Sequence, residues 1–267
     1  GKLVAWQLHI TSPSITARMF PAVVENAVDP FAVEAASNYP YDVPNIAVDY
    51  NREEIGIDVG YWRSVSHALN CFVAESFMDE LAHAAGKDPY AFRAGLLSKQ
   101  PRYQRVLDAA AEKAGWGKAP AGHFQGIALM EGYGSYLAQV VEVSVKGGAL
   151  KIHRITCVVD CGRMVNPNIV DQQVEGSILF GLTAALWGEV TLKGGQVQER
   201  NFDRYRLLRL PESPRIEVVL LESTEAPGGM GEPATALIAP ALTNAIFAAT
   251  GKRLRSLPIA RQGFTLA

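Results

Sequence analysis

An α+β fold is what this sequence predicts, and three observations predict it. Helical and strand patterns occupy separate runs instead of alternating one for one. Two β-rich runs meet at Lys146-Gly147-Gly148, a plausible hairpin. Helical stretches open on a capping residue or proline and close on Gly86, Gly115 and Gly251. The expected architecture is mixed hairpin sheets with packed helices, in two portions: residues 1–118, helical and loop-rich, and residues 119–267, which carry a glycine-rich glutamate turn.

Leu3 to Thr11 alternates as a strand does, and the residues from there to Pro44 keep no period and read as long loops. Ile46 to Ile57 offers short strands, and Gly60 to Leu69 forms a turn into a helix, with Arg63 on the loop side. From Asn70, Val73, Phe77, Leu81 and Ala84 make an apolar stripe with Glu75, Asp79 and Glu80 off it, which predicts an amphipathic helix ending at Gly86. Asp88 caps the next helix and Pro89 fills its first turn, with Tyr90, Phe92 and Leu96 as its apolar side. A third runs from Pro101 to Ala114 and stops at Gly115.

Beyond a polar joint at Ala119 to His123, Tyr136 to Val145 and Ala149 to Val159 read as paired strands. Asn166-Pro167 opens a helix through Gln173, Glu175, Ile178 and Leu182, whose Gly176 and Gly181 predict tight packing against another backbone. Strands return at Glu189 to Leu192 and at Arg215 to Leu221, where Ile216, Val218 and Leu220 share a face. Ala239 to Ala249 is a helix of small, uncharged residues closed by Gly251, and such a helix is buried.

The 267 residues are 48% hydrophobic and 19% charged with net charge −2, a globular composition without the basic field that nucleic acid requires. No apolar run reaches the roughly 18 residues of a membrane span, and the opening Gly1 to Trp6 reads as a strand already under way, so the chain is expected to begin inside a fold. Cys71, Cys157 and Cys161 lack metal-site spacing and are expected to be buried free thiols; with five scattered histidines, the chain is expected to ligate no metal itself.

The densest chemical signal is Pro227-Gly228-Gly229-Met230-Gly231-Glu232-Pro233. Three glycines so close imply a close backbone approach or positive φ values, and a carboxylate held there is either a base or a solvated turn residue. It is not a dinucleotide fingerprint, since it lacks the strand-to-helix setting and spacing of that motif.

Four blocks, in order, carry a resemblance: GYWRSVSHALNCFVAESFMDELAHAAGKDPYAFRAGLL, VVDCGRMVNPNIVDQQVEGSILFGLTAALWGEV, the NFDRY at Asn201 to Tyr205, and GGMGEPATALIAPALTNAIFAATGKRLRSLP. Together they resemble the C-terminal part of the molybdopterin-binding large subunit of the xanthine dehydrogenase/aldehyde oxidase family. The branch is that of isoquinoline 1-oxidoreductase beta subunits and membrane-associated aldehyde dehydrogenases.

The resemblance implies a molybdenum hydroxylase that oxidises an aldehyde or an N-heteroaromatic carbon with water-derived oxygen, and Glu232 matches its general base. Gln173 matches a glutamine beside the pterin, with Gln172 as the adjacent alternative; Gly231 and Met230, preceding the base, would lie against the cofactor. Arg63 matches an arginine near the active site, although the surrounding WRSVSHA departs from the xanthine-type pattern, and a structural ion pair is the other reading.

The implied cofactor is molybdenum–molybdopterin in its cytosine dinucleotide form. The implied partners are the N-terminal portion of the subunit, which would bring the glycine-glutamine-glycine cofactor loop absent here, a small [2Fe-2S] subunit, a cytochrome c acceptor and a small-molecule substrate. The branch also implies a periplasmic or inner-membrane-associated location, with the cytoplasm as the alternative. The rival readings are a non-catalytic assembly chain of such a complex, and an enzyme whose GGMGEP turn holds a phosphate.

Overall fold

A computed structural model describes residues 1–24 and 28–267, and the part of the loop expectation falling on residues 25–27 lies outside them. Strands β1 (Trp6–Ser12) and β2 (Ile46–Arg52) pair in parallel, Trp6 opposite Ile46. Between them the expected loop contains a short helix, α1 (Ile15–Met19). Ser14 caps it, and buried Asp29 accepts hydrogen bonds from the Ser14 and Thr16 hydroxyls and the Thr16 amide. Those capping contacts replace the apolar periodicity that the segment lacks.

Helices α2 (His67–Ala84), α3 (Pro89–Ala94) and α4 (Pro101–Ala114) follow as expected, α3 capped by the Asp88 side chain and α4 closed by left-handed Gly115. The face that α2 buries is not the expected one. Val73 and Phe77 are 46% and 44% exposed and Ala84 is exposed, while Cys71, Ala74, Glu75, Met78, Asp79 and Ala82 are buried.

Ion pairing explains the reversal. Arg93 of α3, fully buried, donates to both the side chain and the carbonyl of Glu75, whose carboxylate also accepts from Tyr41 and the Leu129 amide. Arg253 lies 2.8 Å from Asp79. A partnered buried charge is tolerated where an unpartnered one is not, so hydrophobic period alone misreads this helix.

The main sheet holds β3 (Phe124–Gly132), β4 (Ser135–Lys146), β5 (Ala149–Asp160) and, later in the chain, β8 (Arg215–Leu220), in the order β3-β4-β5-β8. The first three are antiparallel and β8 runs parallel to β5, beyond helix α5 (Pro167–Trp187). A terminal strand, β9 (Thr265–Leu266), also pairs with β5. The expected strand at Glu189 to Leu192 reduces to the two-residue pair β6 (Leu192–Lys193) and β7 (Gln196–Val197), because Thr191 spends its amide and hydroxyl on the Glu199 carboxylate.

Both faces of the sheet are covered. Cys157 and Val159 of β5 pack with Val174, Ile178 and Leu182 of α5 and with helix α6 (Ala234–Thr250), while Val158 between them packs with α2, α3 and α4. This is the period of two that places alternate side chains on opposite faces. On β8, Ile216, Val218 and Leu220 share the α5–α6 side as expected, and Val219 faces the other.

Helix α6 begins five residues earlier than the expected Ala239 and is buried from Ala234 through Ile246. Gly181 of α5 lies against it so closely that a Cβ there would stand 2.6 Å from the Thr235 carbonyl. Gly176 does not repeat this: its nearest neighbour is the Arg63 guanidinium, at 3.9 Å, and not a backbone. All three cysteines are buried free thiols. Among the described residues no helix is long and apolar enough to cross a membrane.

Candidate active site

The glutamate turn hangs from the end of the sheet by main-chain bonds. The Gly228 amide donates to Cys161 beyond β5, the Gly229 amide donates to Tyr133 in the β3–β4 turn, and the Ser135 hydroxyl donates to the Gly229 carbonyl at 2.8 Å. Gly228 and Gly229 do not adopt positive φ; close approach is their reason. A Cβ on Gly228 would meet the Ser135 hydroxyl and stand 2.6 Å from the Gly134 carbonyl, and one on Gly229 would stand 3.0 Å from Tyr133. Gly231 has no chain atom within 4 Å of that position, so the side of it where a side chain would stand faces open space.

Glu232 follows, half-buried, and Pro233 leads directly into α6. The Ser64 amide donates to the Glu232 carboxylate at 3.1 Å. Ser64 and Val65 have φ of 79° and 44°, a left-handed pair that non-glycine residues rarely adopt and that aims this amide at the carboxylate.

Arg63 ties three segments together. Its Nε donates to the Gly231 carbonyl at 2.6 Å and its Nη2 to the Gln173 amide oxygen at 2.9 Å, while Ser177, one turn beyond Gln173, approaches the same carbonyl at 3.5 Å. Burial pulls the Arg63 pKa below its usual value and the Glu232 charge opposes the pull; the guanidinium stays cationic. Beside it Trp62 and Phe180, both 41% exposed, pack with ring centres 4.8 Å apart and planes tilted by 31°.

The structure thus gathers Arg63, Gln173, Gly231 and Glu232, and leaves Met230 half-buried against the α5–α6 core. The partners of Arg63 are a carbonyl and an amide oxygen, so among the described residues it makes no ion pair within 4.0 Å, and the structural ion pair of the second reading does not form. Sequence reasoning missed Ser64, Tyr133, Ser177 and His67. Gly132-Tyr133-Gly134 was the one signal available, because a residue between two glycines marks a tight turn; nothing in Ser64-Val65 announces a left-handed backbone.

A cleft of about 720 Å³ lined by Arg102, Arg105, Asp160 and Glu225 lies apart from this cluster and shares no residue with it. Among the described residues no three His, Cys, Asp or Glu side chains gather as metal ligands.

A glycine open on its Cβ side, an exposed amide side chain and a carboxylate that accepts from an amide define a surface that can receive a polar, many-armed cofactor. The chain belongs to the molybdopterin cofactor-binding domain family, whose pattern matches residues 50–214. It is 33% identical over 266 residues to the isoquinoline 1-oxidoreductase subunit beta of Brevundimonas diminuta, covering 97% of this chain and 34% of that protein. It is likewise 33% identical to the membrane-bound aldehyde dehydrogenase (pyrroloquinoline-quinone) of Gluconacetobacter polyoxogenes, covering 91% of this chain and 35% of that one. The fold matches the crystal structure of quinoline 2-oxidoreductase from Pseudomonas putida 86 with a TM-score of 0.77 at 12% identity, over 96% of this chain and 59% of that one. The chain therefore spans about a third of the length of these curated relatives.

Proposed function

We propose that this chain supplies the proton-accepting carboxylate and part of the cofactor envelope of a molybdenum-dependent oxidoreductase that oxidises an aldehyde or an N-heteroaromatic carbon with water-derived oxygen. One observation carries the reading: Glu232, held by the Ser64 amide, sits at the end of a glycine turn that Arg63 fastens to Gln173.

The residues present fit a pterin cofactor. The Gly231 backbone leaves space where a side chain would intrude, and Gln173 accepts from Arg63 through its oxygen, which leaves its two amide N–H groups to donate. Ser64 Oγ is buried without a partner of its own. Gln173 and the backbone at Gly231 would hold the group, which when bound supplies the two-electron oxidation.

The chain's own part is proton management and orientation. Glu232 takes the proton from the oxygen that attacks the substrate carbon, a contribution of about 10² to 10⁴ in rate for a positioned base. Arg63 keeps the turn and Gln173 in mutual register and presents positive charge beside the developing negative one. Trp62 and Phe180 offer exposed aromatic surface next to it, on which an apolar part of the substrate can pack.

The remainder of the large subunit, a small [2Fe-2S] subunit and a cytochrome c acceptor complete the proposed assembly, in the periplasm or at the inner membrane. The designation of one relative names a quinone, so cofactor analysis of the complete complex is part of the test. Glu232→Gln in that complex is expected to retain molybdenum and pterin and lose turnover; near-normal turnover would remove Glu232 as the base. Turnover of an aldehyde panel against a quinoline panel assigns the substrate class.

A further inference from the structure

Helix α5 holds two glycines within its length, and the packing of this chain accounts for one of them. Gly181 lies against α6, where a Cβ would stand 2.6 Å from the Thr235 carbonyl. Gly176 is helical without positive φ, and a Cβ there would meet only the Arg63 Nη1, at 3.9 Å, an ordinary van der Waals contact. Alanine would fit. A glycine inside a helix costs stability relative to alanine, so Gly176 weakens α5 with no return in the contacts of this chain.

Its surroundings show what such a clearance can serve. Gln173, Gly176 and Phe180 stand three and four residues apart and so share one face of α5, on which Gln173 and Phe180 are exposed. The Arg63 guanidinium lies along that face: Nη2 donates to the Gln173 amide oxygen, Nε to the Gly231 carbonyl, and the central carbon is 5.8 Å from the centre of the Phe180 ring. These bonds leave Nη1 and the Gln173 amide nitrogen without an acceptor among the described residues. Two nitrogens with two N–H groups each therefore border the space that Gly176 keeps clear, and one of them belongs to a cation.

We propose that the open face of α5 at Gly176, edged by the Arg63 Nη1 and the Gln173 amide, is a subsite for an acceptor oxygen of the bound ligand, phosphoryl or carboxylate. Charge-assisted donors recognise such an oxygen, and a glycine lets it approach the helix where a side chain would hold it off. The oxygen belongs either to the cofactor or to a carboxylate product, and the experiment tells them apart. The inference rests on the cofactor-dependent oxidation proposed above and adds a recognition element to it.

In the complete complex, Gly176→Ala and Gly176→Leu fill the clearance in two steps without removing a polar group. Both residues favour a helix, so a glycine without a role would give variants as stable as the parent or more so, with every binding property unchanged. The expected result is a binding loss that grows from alanine to leucine. A fall in molybdenum and pterin content per complex assigns the oxygen to the cofactor. Unchanged content with the inhibition constant of benzoate, the product of benzaldehyde oxidation, raised about tenfold assigns it to the product, on the scale of one charge-assisted hydrogen bond.

Parental content and parental inhibition in both variants overturn the subsite. A crystal structure of the cofactor-loaded parent complex, with benzoate present, reads it directly. A ligand oxygen within hydrogen-bond distance of the Arg63 Nη1 supports it; polypeptide from the rest of the subunit packed over Gly176, or water alone, overturns it whatever the variants do. A Glu232→Gln complex that turns over normally removes the base and leaves the subsite standing, because content, inhibition and coordinates judge it independently of that carboxylate.

Discussion

Arg63 and Gln173 stand 110 residues apart in sequence and 2.9 Å apart in space, the guanidinium donating to the amide oxygen while its other edge holds Gly231. One planar cation therefore sets the distance between the turn before α2, helix α5 and the glutamate turn.

Lysine cannot reproduce a fork of that shape. Arg63→Lys is expected to lower turnover of the complete complex about tenfold, the value of one charge-assisted hydrogen bond, and Arg63→Ala further, with Gln173 released. Steady-state kinetics and molybdenum content of the two variants check this.

Gly228 and Gly231 predict opposite outcomes from the same substitution. Gly228→Ala drives a methyl group into the Gly134–Ser135 turn, and a melting temperature several degrees lower is expected. Gly231→Ala meets no atom of the chain, so its melting temperature should match that of the parent while its molybdenum content falls if the cofactor lies on that backbone. Thermal melts beside metal analysis separate the two.

Arg93 is the buried cation on which the α2–α3 corner depends. Arg93→Ala leaves the Glu75 carboxylate buried without its cation, at a cost of about 3–5 kcal/mol. Denaturant unfolding should show that loss, and Arg93→Lys should recover part of it.

Stability is also expected to depend on pH through Asp79 and His83. Burial pushes the Asp79 carboxyl up, but the hydrogen bond from His83 and the Arg93 and Arg253 charges bring it below its usual 3.8. Its contribution is present above pH 3.8 and is lost as pH falls through the lower folded value. The hydrogen bond to Asp79 raises His83 above its usual 6.5, so its contribution is complete below pH 6.5 and fades as pH rises through the raised folded value. Melting temperatures across pH should fall on both sides, and His83→Gln should flatten the alkaline side and shrink the acid one, because His83 is also among the groups that lower Asp79.

What could be read from the sequence divides along physical lines. Caps and stops with local causes were legible: Asp88-Pro89, Gly115, Asn166-Pro167 and Gly251 all stand where the residues placed them. Side-chain pairing between distant segments was not. Glu75 and Asp79 looked solvent-facing because Arg93 and Arg253, which neutralise them, are invisible to any local period. Strand β3 carries buried residues on both faces from Gly126 to Met130, so it showed no alternation to read.

The same division runs through the site. Glu232 stood out by its glycine-rich turn and Arg63, Gln173 and Gly231 by resemblance, whereas Ser64 acts through a backbone amide, whose aim no residue type encodes. The change of texture at residues 118 and 119 marks where helices give way to strands, and α4 before it and β4 after it share one core.

The route of the backbone through this cluster also sets when it can exist. Arg63, Tyr133, Gln173 and Glu232 come from four widely spaced stretches, and the last of them is joined directly to the helix that fills the space against the sheet. During synthesis on the ribosome, no earlier intermediate can display the assembled cluster. The cluster therefore closes only once polypeptide beyond residue 232 has emerged and docked, and a chain truncated before α6 would lack the glutamate turn that Arg63 holds.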